Sequence, residues 1–117
     1  MLIRKEQMDA FQRAADCSYE MRLVHFLQSQ FPDAAHEAEA SLVEGIRGQI
    51  AKARGYGLLT EQQIATYVTS AWLLGGDFDQ EFLAANEMLG SNVPPDDKSD
   101  WLERFSEELF HRLEQRI

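Results

Sequence analysis

Apolar residues recur along this chain at helical spacing and nowhere alternate over a useful length, which leaves room for helices and none for a sheet. The cleanest stretch is Ile64, Tyr67, Val68, Ala71 and Trp72, at i, i+3, i+4, i+7 and i+8, a single face at 100° per residue. Thr60-Glu-Gln-Gln63 in front of it reads as a capping box, in which the first and last side chains satisfy each other's backbone amides. Gly75-Gly76 ends the run.

The same spacing, cut by proline and glycine, predicts helices over residues 4–30, 34–54, 61–74, 79–89 and 98–116. In the first, Met8, Phe11, Ala15, Tyr19, Leu23 and Phe26 share a face, and Pro32 stops it because the residue before a proline avoids helical geometry. Asp33 is placed to cap the second helix, whose later half turns Leu42, Ile46, Ile50 and Ala53 to one side. Gly45 and Gly48 allow a bend or a break near residues 40–48, Lys52 and Arg54 suit the C-terminal end, and Gly55 can close it in a left-handed conformation. The fourth helix is anchored by Phe82, Leu83 and either Met88 or Leu89. Gly90 to Asp97 carries two prolines and reads as a loop. Ser99 or Asp97 then caps the last helix, with Leu102, Phe105, Leu109 and Leu113 inward. The expectation is an all-α chain, a compact single-domain bundle of about five helices over residues 1–117.

A chain of 117 residues with 44% hydrophobic content can bury a core without disulfides or metal. One cysteine, Cys17, excludes an internal disulfide framework and any multi-cysteine zinc site. Twenty acidic against 11 basic residues give a net charge of −9. That balance argues against a nucleic-acid partner, whose phosphates demand Lys and Arg, and against an anionic membrane. The start, Met1-Leu-Ile-Arg-Lys-Glu-Gln, offers no apolar stretch for a signal peptide, and no run approaches a membrane span, so a cytoplasmic location is expected.

The charge is unevenly placed. From Gly55 to Asp97 there is no Lys or Arg, while Glu61, Asp77, Asp79, Glu81, Glu87, Asp96 and Asp97 all fall inside. An ordinary solvated surface mixes both signs. Solvated loops and helix N-termini would account for some of these acids, but the length of the base-free stretch marks it as a candidate protein-binding surface. The residues assigned to that surface are Tyr56, Glu61, Asp77, Asp79, Glu81 and Glu87.

Signs of chemistry are few. Asp33 with His36 and Glu108 with His111 have the i, i+3 spacing of metal-binding helices, but the further inward glutamates of such sites have no counterparts, and capping and surface roles explain both pairs. Cys17 and His25 lie about 12 Å apart along one helix, too far for a thiol nucleophile and its base. Asp77-Phe-Asp79 opens like a calcium loop but lacks the glycine and terminal glutamate that would complete it. Arg47, Lys52 and Arg54 beside Tyr56 could meet a phosphate, yet they gather where a helix dipole favours positive charge. No catalytic residue, metal or cofactor is assigned, and the chain is read as a non-enzyme.

Ile46-Arg-Gly-Gln-Ile-Ala-Lys-Ala-Arg-Gly-Tyr-Gly57, Thr60-Glu61, Tyr67 and Trp72-Leu-Leu-Gly-Gly-Asp-Phe-Asp79, with Gln7-Met-Asp-Ala-Phe11 and Phe31-Pro32 ahead of them, form a wider pattern. It resembles small helical proteins encoded beside effector, PAAR and VgrG genes of bacterial type VI secretion systems, over most of residues 1–80. Gly57 and Gly75 of the pattern would close helices, Tyr56 would pack the turn and Asp79 would cap the fourth helix. The resemblance implies a non-enzymatic accessory that binds a secreted effector, its PAAR protein or its chaperone, as an adaptor or co-chaperone during loading. The alternative is an immunity protein whose acidic surface blocks a basic toxin. A stripe left exposed on the last helix would also allow pairing with a second copy.

Overall fold

The computed structural model describes the backbone of residues 5–115 and the side chains of residues 18–112. The expected inward positions Met8, Phe11, Ala15 and Leu113, and the lone Cys17, lie outside the described side chains. The chain is all-helical, with no strand among the described residues. Seven helices occupy them: α1 Lys5–Gln30, α2 Pro32–Ala35, α3 Glu39–Gly55, α4 Glu61–Leu74, α5 Phe78–Glu81, α6 Leu83–Leu89 and α7 Pro95–Gln115. Five were expected, and the two extra elements come from breaks that the periodicity did not show. The chain divides into two units, residues 1–47 and 48–117, with the boundary inside α3.

In the first unit α1 buries Tyr19, Leu23, Val24 and Leu27, while Phe26 is 44% exposed instead of facing inward. The buried arc is rotated toward Leu27 and Val24, which puts Phe26 at its edge. Pro32 does more than stop α1. It occupies the start of α2, where its missing N–H costs nothing. Asp33 therefore sits inside the first turn, and the cap position falls to Phe31, whose side chain makes no capping bond. Ala34 is fully buried and docks the turn against α1. The break lies at residues 36–38, not near residues 40–48, and α3 runs unbroken through Gly45 and Gly48. Arg47 Nε, on α3, donates to Glu20 Oε2 of α1 at 2.8 Å.

Leu42, Ile46, Ile50 and Ala53 are all buried along one side of α3, as their spacing predicts. The glycine that closes the helix is Gly57, two residues later than the expected Gly55. Leu58 N bonds back to Ala53 O at 3.1 Å and Gly57 N to Arg54 O at 3.0 Å, a Schellman closure. Gly57 carries the positive φ of 90° that this closure needs, whereas Gly55 is helical. Ala53 and Leu58, the two ends of the closing bond, are both fully buried.

In the second unit the expected capping box forms. Thr60 Oγ1 accepts from Gln63 N at 3.1 Å, and Gln63 Oε1 accepts from Thr60 N at 3.1 Å and Leu59 N at 2.9 Å. Gln63 Nε2 also donates to Asp96 Oδ1 at 2.6 Å, tying the start of α4 to the first turn of α7. These two helices pack along their length, and Ser106 Oγ donates to Ser70 Oγ at 2.8 Å where they meet. Ser70 passes its own proton to Thr66 O, so the buried hydroxyl pair is satisfied. Tyr67 is fully buried, and Trp72, at the edge of the same stripe, is partly exposed.

The expected helix over 79–89 is two helices, because Phe82 takes an extended conformation at φ −104° and ψ 112°. The break resets the phase. In α6 Ala85 and Leu89 turn inward, and Leu83, an expected anchor, is left 71% exposed. Asp79 does not cap this segment: Asp77 holds the cap position of α5 and makes no side-chain capping bond. The last helix begins at Pro95, not near residue 98, with Asp97 N and Lys98 N bonded to Pro94 O. Asp97 and Ser99 are thus within the helix. Leu102 is fully buried, and Phe105 and Leu109 are partly so.

The position of the α3 closure has a direct test. Gly57→Ala forces a side chain into the left-handed region and lowers stability by about 1–2 kcal/mol. Gly55→Ala, at a helical position with open space where a Cβ would stand, raises it by up to about 1 kcal/mol. Urea denaturation of both variants checks the pair of opposite signs.

Candidate functional site

Gln49, Lys52 and Tyr56 stand at i, i+3 and i+7 on α3 and so face one way. They meet the turn between α4 and α5. Gln49 Nε2 and Lys52 Nζ both donate to Gly76 O, at 3.1 and 3.0 Å. Lys52 Nζ continues to Asp77 Oδ1 at 3.2 Å and Asp79 Oδ1 at 3.3 Å, and Tyr56 OH donates to Asp79 Oδ2 at 2.6 Å. The Asp79 side chain is only 2% exposed, whereas Asp77 is 76% exposed. Tyr67 completes the wall, its ring 6.0 Å from Tyr56 and 5.1 Å from Phe78.

Burial works to raise the Asp79 pKa, but the hydrogen bonds from Tyr56, Gln80 and Lys52, with the Lys52 charge, outweigh it and hold the carboxyl below its ordinary range. Burial opposes the charge of Lys52 too, and its bonds to Asp77 and Asp79 raise its pKa regardless. Burial, then the bond to Asp79, push the Tyr56 hydroxyl up to about 12. The cluster is a charged lysine, a charged aspartate and a neutral tyrosine at neutral pH. Lys52, Tyr56 and Asp79 are each committed to a partner, the arrangement of a structural joint, while the buried Tyr67 hydroxyl and Gln49 Oε1 beside them make no hydrogen bond.

A second cation reaches the base-free stretch from just beyond its end. Lys98, 7% exposed, donates through Nζ to Tyr56 O at 2.8 Å and Leu89 O at 2.7 Å. Positive charge there suits the carbonyl ends of α3 and α6, and it anchors the first turns of α7 to both.

The proposed surface residues therefore separate. Tyr56, Asp77 and Asp79 come together through Lys52. Asp79 is a correction, since a carboxylate buried and bonded in this way is not part of an exposed surface. Glu61 in the first turn of α4, Glu81 at the end of α5 and Glu87 on α6 are all exposed and stand outside the cluster. Asp33, His36, Glu108 and His111 are exposed as well, and no group of three or more His, Cys, Asp or Glu side chains among the described residues is placed to hold a metal.

An aromatic run on the second unit was not assigned from the sequence. Trp101 and Phe105, one turn apart on α7, stack with ring centroids 4.7 Å apart and planes at 12°. Phe82 meets Phe105 edge-on at 5.7 Å. All three are partly exposed, Leu83 follows Phe82 in the chain, and Trp101, Arg104, Phe105 and Glu108 line a surface depression. The i, i+4 spacing of Trp101 and Phe105 is visible in the sequence. The meeting with Phe82 is not, because it depends on the break at that residue.

Removing either bond to the buried carboxylate should be costly. Tyr56→Phe and Asp79→Asn each lower stability by about 1.5–3 kcal/mol, and the double variant loses less than the sum, as measured by denaturant unfolding. Because Asp79 titrates lower when folded, its contribution is complete above the ordinary value of 3.8 and disappears as pH falls through the depressed one. Lys52 and Tyr56 titrate higher when folded, so their contribution is complete below about 10 and fades in stronger alkali. Stability measured across pH should show both flanks, and Asp79→Asn should flatten the acid one.

No family model, curated protein or solved structure matches this chain.

Proposed function

We propose that this chain is a non-enzymatic protein-binding accessory, an adaptor or co-chaperone in the loading of a type VI secretion effector. The observation that carries the binding role is the partly exposed run Phe82–Phe105–Trp101 with Leu83, 71% exposed, beside it. Large aromatic side chains held rigid by stacking are the usual anchors of an interface, since they bring much contact area at little conformational cost. The secretion setting rests on the resemblance over most of residues 1–80. Part of that pattern belongs to the fold, where it supplies the Asp79 cluster and the closures at Gly57 and Gly75.

An immunity protein would need a broad acidic face to mimic phosphates. Asp79 is buried and Asp77, though exposed, is paired with Lys52, which thins the acidic surface of the base-free stretch. That thinning favours the adaptor over the immunity role.

Co-expression with the neighbouring effector or PAAR protein should yield a complex that survives purification. Trp101→Ala should release most of the partner, and association should slow as salt rises, because exposed charges are screened beyond about 8 Å at physiological ionic strength. Recovery of no complex overturns the proposal. Protection of cells from the toxin by this chain alone would favour immunity instead.

A further inference from the structure

Resting on the reading of this chain as a protein-binding accessory, we infer that the Phe82–Phe105–Trp101 face docks a basic amphipathic helix of its partner. The argument is one of shape and of charge. With no strand among the described residues, there is no sheet edge to which an extended peptide could add. A helix laid along α7 is a common mode that an apolar stripe of this length fits. The stripe Trp101, Phe105 and Leu109 runs for roughly 12 Å along α7, two turns' worth of ridge and groove.

The carboxylates fix the sign of the partner. Glu81 immediately precedes Phe82, and Glu87 lies one turn beyond Leu83. Asp97 lies one turn before Trp101, Asp100 adjoins it, and Glu108 lines the depression at the other end. All five are exposed, against the exposed bases Arg104 and Arg112 on the same helix. Lys52 and Lys98, two cations that reach the base-free stretch, are spent elsewhere: one on Asp77 and Asp79, the other on backbone carbonyls. An apolar stripe bordered by lysines or arginines complements this face, and an acidic helix is repelled by it.

Two labelled peptides of about four helical turns test this, sharing one Leu/Trp stripe and differing only in a lysine-rich or a glutamate-rich polar face. Fluorescence anisotropy with the full chain should show the basic peptide binding at least about tenfold more tightly than the acidic one, and weakening as salt is raised. Trp101→Ala and the double variant E81K/E87K should each cost about tenfold, with helix content unchanged by circular dichroism. Equal binding of both peptides, or no effect of Trp101→Ala, overturns the inference. So does a dimer in sedimentation that Trp101→Ala dissolves, because the occupant is then a second copy. If the effector complex forms but the basic peptide does not bind, the partner chemistry is wrong and the accessory role stands. If the peptide binds and no effector complex forms, the surface stands and the accessory role falls.

Discussion

The second unit is organised around one buried carboxylate. Asp79 is charged and almost without solvent contact, and a charge in that position is tolerable only when it is closely paired and hydrogen-bonded. Tyr56 and Lys52 meet that demand from α3, and their spacing obliges the end of that helix to lie over the turn after α4. The backbone follows the same pattern. Asn86 Nδ2 donates to Asp79 O at 3.1 Å and so fastens α6 to α5 across the break at Phe82. Lys98 then grips the carbonyl of Tyr56, so that the residue serving Asp79 through its side chain serves α7 through its backbone.

Local rules were legible in the sequence and distant pairings were not. The all-helical class, the α4 stripe and the Thr60–Gln63 box depend on residues within a turn or two of one another, and they form as read. The helix starts at Pro32 and Pro95 were not legible because a proline that stops one helix is equally suited to the first turn of the next. Phe82 carries no proline or glycine to mark its extended conformation. Once it breaks the helix the phase shifts, which leaves Leu83, an expected anchor, on the surface while Leu89 stays buried. Gly55 and Gly57 differ by two positions and only the backbone geometry separates them.

The base-free stretch shows how a correct observation can carry a partly different meaning. Its seven acids and no bases are real, and the charge was assigned to a surface. Lys52 comes from three residues before the stretch and Lys98 from one residue after it, and both fold back onto it. Asp77 and Asp79 are the same residue type two positions apart, yet one is 76% exposed and the other 2%. Nothing local distinguishes them. The distinction arises where α3 arrives, a long-range contact that one-dimensional charge counting does not contain.

That internal use of charge bears on the surface that remains. If the acids of the stretch served solubility alone, burying one of them at a joint would bring desolvation for no gain in solvation, and apolar packing would serve the joint as well. A committed carboxylate instead fixes the α5–α6 turn in one geometry, with Phe82 extended toward Phe105. The stacked Trp101 and Phe105 then have a rigid edge to rest against, and the exposed acids on α5 and α6 hold fixed positions beside them. Rigid anchors lose less entropy on binding than mobile ones, so in the proposed binding role the buried charge would aid recognition by holding still the part of the molecule that is exposed.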